Sequence, residues 1–343
     1  EISFSALWSK IWYEGYQEPV YSWQSSSADN DFEEKFSLSP LLFGTIKAAA
    51  YAMVFAIPIA VMAALYTAFF MAPAMRRLVK PGIEIIAAFP TVVLGFLAGL
   101  WLAPLIERKL ATVLTALVLL PICFLVMSLV WQLIPEQRRN SLQGWQGLLA
   151  IPIVGFALIC AISVGPLIET SLFGGSFSQW LQITHGIDYD QRNALVVGMA
   201  MGLAVIPTIF SIAEDAIYNV PRHLTNGSLA LGATRWQTMT RVVLLTASPG
   251  IFSAVMIGLG RSLGETMIVL MATGNTAIMD WNIFTGMRTF AANIAVELPE
   301  SEVGSSHYRI LFLASLVLFA MTFVLNSIAE VVRQQLRERY GSL

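Results

Sequence analysis

Apolar residues dominate seven stretches of this chain, at about 41–70, 83–103, 110–133, 146–165, 192–214, 248–273 and 309–331. A helix needs about 20 such residues to cross the hydrocarbon core of a bilayer. The pattern predicts an all-α fold, a polytopic membrane helical bundle with about seven spans. Pro58, Pro90, Pro121, Pro152 and Pro207 lie within or at the edges of these runs. Membrane helices tolerate such prolines because neighbours satisfy the freed carbonyls.

The polar connections give a direction, because Lys and Arg in short loops resist translocation. One alternate set of connections carries Arg76, Arg77, Lys80, Arg138, Arg139, Arg222, Arg235, Arg241, Arg333, Arg337 and Arg339. The other carries Lys10, Lys35, Arg108, Lys109, Arg192, Arg288 and Arg309, with most of the acids: Glu14, Glu18, Asp29, Asp31, Glu33, Glu34, Glu297, Glu300 and Glu302 among them. Residues 1–40 are therefore expected outside the cytoplasm, and the C-terminus inside. Numbering opens at Glu1 with no charged-then-apolar leader, and an external amino end needs an earlier span, so the chain reads as part of something longer. The Trp- and Tyr-rich opening either lies along the outer interface or packs as the tail of an external domain.

Composition narrows the class. Hydrophobic residues make up 56% of the 343, charged residues 12%, and the net charge is -2; mean hydropathy is +0.68. No basic surface points to nucleic acid. Cys123 and Cys160 fall inside apolar runs, so no disulfide is expected. His185, His223 and His307 lack metal-ligand spacing, and no metal site is expected. No G-x-x-x-x-G-K-[ST] motif is present, so the chain is not expected to bind or hydrolyse ATP, or to be an enzyme.

Two segments depart from plain hydropathy. The first is the long connection at 215–247. Pro221 and Asn226 offer helix starts, Leu229, Trp236, Met239 and Val243 recur at helical spacing, Gly232 permits a bend, and the Ser-Pro-Gly at 248–250 reads as an end. An amphipathic helix on the inner leaflet would show the same periodicity. The second is GRSLGETMIV at 260–269, which sets Arg261 and Glu265 four apart within an apolar run. On one helix they share a face and can pair. Such a pair offsets part of the ~2.5–3.5 kcal/mol cost of a mid-membrane arginine and can glue helices together. Gly258, Gly260 and Gly264 permit close helix approach, or leave room for an ion. Lys47, about two turns inside the first run, either snorkels outward or makes a secondary anion contact.

The order of residues in both segments carries a resemblance. SLALGATRWQTMTRVVLLTASPGI is similar to the cytoplasmic coupling loop of ABC importer permeases, E-A-A, three residues, G, nine residues, I-x-L-P. Gly232 is that glycine, followed by Ala233 and Thr234; Asn226, Gly227 and Ser228 stand at the E-A-A positions, and Leu245 replaces the proline. The resemblance implies two short helices docked on a separate ATPase subunit, with Ser228, Leu229, Ala230, Gly232, Ala233, Thr234, Arg235 and Trp236 at the joint.

Gly260, Arg261, Gly264, Glu265 and Thr266, with Ser262 for an alanine, then Gly274, Asn275 and Thr276, resemble the G-R-A-x-G-E-T and G-N-T of the PstC/PstA permeases of phosphate ABC importers. The likeness covers about 38–104 and 192–335. It implies an external segment (1–40), first permease spans (41–104), an insertion (105–191) as in larger PstC-type proteins, a core permease (192–335) and a tail (336–343). Implied partners are a PstA-like second permease, two copies of an ATP-binding subunit that uses the ATP, and an external phosphate-binding protein, in a bacterial inner membrane.

The chemistry of the path then follows. Arg261 attracts the anion through its forked donors. Glu265 weakens that grip for release, and accepts a hydrogen bond from hydrogen phosphate that sulfate cannot offer. Ser262 and Thr266 line the path; Asn275 is either an outer-mouth contact or a helix C-cap. The rival readings are a permease for molybdate, tungstate or sulfate, a secondary anion transporter, and a membrane sensor of phosphate status.

Overall fold

The computed structural model describes residues 3–13, 16–25, 34–133 and 146–340. The expectations placed on Glu14, Asp29, Asp31, Glu33, Arg138 and Arg139 lie outside the described residues. Among the described residues, seven helical stretches are long and apolar enough to cross a membrane: Ser39–Phe70, Thr91–Arg108, Leu110–Trp131, Gly147–His185, Ala194–Tyr218, Arg235–Leu263 and Ser306–Arg339. Their number matches the hydropathy reading.

Helix α1 (Phe4–Trp8) and an antiparallel pair, β1 (Trp23–Gln24) with β2 (Lys35–Phe36), precede the bundle. The first span is α2 (Ser39–Leu65), extended by a π-helical turn at Tyr66–Phe70. Then come α3 (Pro73–Ala87), α4 (Thr91–Leu97), a second π turn at Ala98–Leu102 and α5 (Ala103–Arg108). The second span therefore starts at Thr91 and not at 83. Pro90 holds Phe89 out of the helical region, so the apolar run from 83 to 89 ends a separate helix.

Helices α6 (Leu110–Leu133) and α7 (Ala150–Leu172) form a hairpin, followed by α8 (Phe177–His185). Val118, Leu125, Ile159 and Leu167 on this hairpin are exposed, as suits a lipid-facing pair. The fifth span is α9 (Ala194–Tyr218), started by the Asn193 side chain capping Val196 N–H at 3.1 Å. Short helices α10 (Arg222–Ala230) and α11 (Arg235–Thr238) follow. A third π turn, Met239–Val243, leads into α12 (Leu244–Leu263), and after a break come α13 (Met267–Ala272), α14 (Phe290–Glu297) and the last span, α15 (Ser306–Tyr340).

The centre of the bundle is the seam between α2 and α9. Ala48, Ala52, Ala56, Ala60 and Ala64 recur every four residues along α2, all buried, and let the two backbones approach. Ala48 and Ala52 share a core cluster with the start of α9, Ala56 to Ala64 one with its end, so these helices run parallel. Helix α12 runs back against α9, with Gly250 beside Ala216 and Gly258 beside Ile209 and Val205. Gly258 thus serves close packing. One end of the bundle carries the α10–α11 hairpin. The far end carries β1–β2 and a long connection, residues 273–289, which crosses back over α2 and α9.

That crossing is tight. Thr285 and Ile283 carbonyls accept from Ala194 and Leu195 N–H at 3.0 Å each, and Phe290 N–H donates to Thr45 Oγ1 at 3.1 Å. A Cβ on Gly44 would overlap the Arg288 carbonyl oxygen. Gly44→Ala is expected to cost about 1–3 kcal/mol through overpacking and to lower the thermal unfolding midpoint in detergent; an unchanged midpoint would mean that the crossing strand yields freely.

Nearby, Glu297 is buried and gathers Trp23 Nε1 at 2.9 Å, Arg288 at 2.5 Å and His307 at 2.7 Å. Burial holds the Arg288 guanidinium below its usual range, with Glu297 opposing. The amino-terminal segment is pinned here, with Leu7 and Trp23 buried and Trp12 exposed.

Candidate functional site

The break in the sixth span organises the motif residues. Helix α12 stops at Leu263, Gly264 is its C-cap, and α13 begins at Met267. The Glu265 side chain accepts from Ile268 N–H through Oε1 at 3.4 Å, tying down the first turn of α13. Arg261, on the last turn of α12, donates from Nη1 to Thr208 Oγ1 of α9 at 2.7 Å. The pairing of Arg261 with Glu265 is therefore corrected: no ion pair joins them among the described residues, because a four-residue spacing shares a face only on an unbroken helix. The Ser-Pro-Gly at 248–250 lies inside α12 and ends nothing, and the span itself begins at Arg235, ahead of the expected 248.

The remaining motif residues sit as follows. Ser262 is buried and donates to Leu259 O at 2.7 Å within its own helix. Thr266 Oγ1 donates to Gly264 O at 3.2 Å across the break. Asn275 takes a left-handed φ of 56°, its N–H bonded to Thr273 Oγ1 at 2.8 Å and its Oδ1 buried without a partner. It is not the C-cap of the preceding helix; Thr273 is. The structure keeps Arg261, Ser262, Glu265 and Thr266 in one break, with Asn275 beyond α13.

Lys47 does not snorkel. It is 0% exposed, and Nζ donates to Thr285 Oγ1 of the crossing strand at 2.9 Å. A partner 238 residues away satisfies it internally. A cleft of about 530 Å³ opens between α12 and α15, its wall including Ser253, Gly260, Asn326 and Glu330.

The connection after α9 is two helices at a sharp bend. Pro221 precedes α10, while Asn226 is inside it and starts nothing. Gly232 has φ +86°, and a Cβ there would meet no atom within 4 Å, so backbone conformation and not space requires glycine. Thr234 and Gln237 form a reciprocal capping box that starts α11, and Ser228 Oγ bonds Thr238 Oγ1 at 3.0 Å across the bend.

The expected stripe divides at this bend. Met239 and Val243 are buried, whereas Leu229 and Trp236 are exposed, and Leu231 is 92% exposed. Ala230 and Arg235 are also exposed, Ala233 half-buried. Leu231 and Trp236 thus present apolar surface on either side of the Gly232 bend. Leu231 was not singled out by sequence; its place just before the left-handed glycine was the available signal. Thr208, the arginine's partner, had none.

The sequence profile of the binding-protein-dependent transport system inner membrane component family matches residues 56–340. The chain belongs to that family. It is similar to the phosphate transport system permease protein PstC of Mesorhizobium japonicum, 25% identical over 94% of this chain and 81% of that protein. A PstC of Xylella fastidiosa is 26% identical over 98% of this chain and 87% of its own length. The probable ABC transporter permease protein YqgH of Bacillus subtilis is 30% identical over 62% of this chain and 65% of its length. The matched region of this permease takes in both the bent hairpin and the broken span. It is a multi-pass inner-membrane transport component, and the all-α bundle agrees with that.

Proposed function

We propose that this permease is the transmembrane subunit of an ATP-driven phosphate importer. The observation that carries the reading is the placement of Arg261: a half-buried guanidinium, midway along the bundle, held by one neutral hydroxyl between the two spans that flank the hairpin. The names of the PstC relatives support phosphate as cargo. An arginine that, among the described residues, commits one of its five donors to a neutral hydroxyl can meet a tetrahedral oxyanion.

In this reading Glu265 does not neutralise Arg261. It fixes the break through Oε1 and keeps Oε2 to accept a hydrogen bond from a protonated anion. The hairpin faces the cytoplasm, as does the C-terminus, and separate ATP-binding subunits dock on it and carry out hydrolysis. A PstA-like second permease and an external phosphate-binding protein complete the complex. This chain binds no cofactor of its own.

The test is uptake by the assembled complex with labelled phosphate against excess sulfate, molybdate or tungstate. Phosphate uptake that survives all three competitors is expected. Uptake abolished by sulfate, molybdate or tungstate would reassign the cargo to that oxyanion.

A further inference from the structure

Away from the motif residues, Glu214 is 0% exposed in the last turns of α9. A buried carboxylate is tolerated where its charge is matched and its lone pairs are used. Both of its oxygens lie within ion-pair distance of α3, although among the described residues only Oε1 accepts a hydrogen bond. Arg76 Nε donates to Oε1 at 2.5 Å, and Lys80 Nζ lies 3.0 Å from Oε2 as an ion pair. Lys80 also pairs with Asp215, and the Arg76 guanidinium lies 3.4 Å from the centre of the Tyr218 ring. Farther along α3, Glu84 accepts from Ser211 at 3.0 Å. Arg76, Lys80 and Glu84 are spaced four apart, so one face of α3 is tied to residues 211–218. The hydrogen bond that Arg76 donates to Glu214 raises Arg76 above its usual range.

The position of this cluster matters as much as its geometry. Helix α9 ends at Tyr218, and Asn219, Val220 and Pro221 lead directly into the hairpin. Helix α3 leads the other way, through the bend at Phe89 and Pro90, into the second span.

We propose that Glu214 is a positioning residue, the joint that makes α3 and the hairpin-bearing end of α9 one moving part. Displacement of the hairpin then reaches the second span as well as the fifth and sixth. The proposal rests on the hairpin being the docking surface for an ATPase. A neutral glutamine cannot balance two cations, so Glu214→Gln loosens α3 from the hairpin-bearing end of α9, with Lys80–Asp215 and Glu84–Ser211 as weaker, more exposed ties.

The test uses the full complex, with Cys123 and Cys160 replaced by Ala and spin labels at Leu78→Cys on α3 and Asn226→Cys on α10, both exposed or half-exposed positions. Pulsed EPR should give one narrow distance in the otherwise wild-type chain, with or without ATP, and a broadened one in Glu214→Gln. Phosphate moved per ATP should fall about 10-fold in the variant while hydrolysis persists, with partial recovery in Glu214→Asp.

A distance that already shifts with ATP in the wild-type chain would overturn the proposal. So would a variant with wild-type distance and coupling, or one in which assembly, hydrolysis and uptake fall together. If the wild-type complex neither holds nor uses an ATPase, the docking reading fails separately. The nucleotide-free distances, narrow against broad, still decide the joint.

Discussion

Arg261→Ala is expected to reduce ATP-driven phosphate uptake by at least about 100-fold, with membrane abundance and ATPase docking unchanged. A hydrogen bond to a charged group contributes about 1.5–3 kcal/mol, and a forked guanidinium offers two to a phosphate. Removing both takes away most of the attraction that draws a hydrated anion to the middle of the bundle. The fold should survive, since the side chain is half-buried and its one hydrogen bond among the described residues is to Thr208. Labelled uptake in cells, normalised to chain abundance, is the measurement; wild-type uptake in the variant would remove Arg261 from the path.

The second large effect is expected at the hairpin. Leu231 is 92% exposed and Trp236 64% exposed, either side of the Gly232 bend. Large apolar side chains at the centre of an interface typically carry about 2 kcal/mol or more each. The double substitution Leu231→Glu with Trp236→Ala should therefore weaken capture of the ATP-binding subunit by about 100-fold or more. Thermal stability of the isolated chain should barely move, because neither side chain is in the core. Co-purification and titration calorimetry read the loss. Undiminished affinity would place the docking surface elsewhere.

The span count was legible because bilayer thickness imposes a length that hydropathy measures directly. The bend at Gly232 was legible too, since a glycine between two short periodic stretches leaves few alternatives. The alanine stripe at 48, 52, 56, 60 and 64 lies open in the sequence at helix-packing spacing, and the structure puts it against α9.

What hydropathy could not resolve were interruptions inside apolar runs. Residues 83–103 read as one span although Pro90 divides it, and 248–273 read as one although Gly264 to Thr266 divides it. Apolar character is the same on both sides of each break, so the run looks continuous. The Arg261–Glu265 pairing failed for this reason.

Long-range partners were invisible in another way. Lys47 finds Thr285, and Glu214 finds Arg76 and Lys80, across 238 and more than 100 residues. Read locally, Lys47 near a span end reads as a snorkelling cation, and only the fold supplies the oxygen that holds it inside.

The most direct measurement is accumulation of labelled phosphate in proteoliposomes that hold the complete complex and its external binding protein, loaded with ATP or with a non-hydrolysable analogue. Accumulation above the outside concentration is expected with ATP, and none with the analogue. Equal accumulation in both, driven by an ion gradient alone, would contradict an ATP-driven importer.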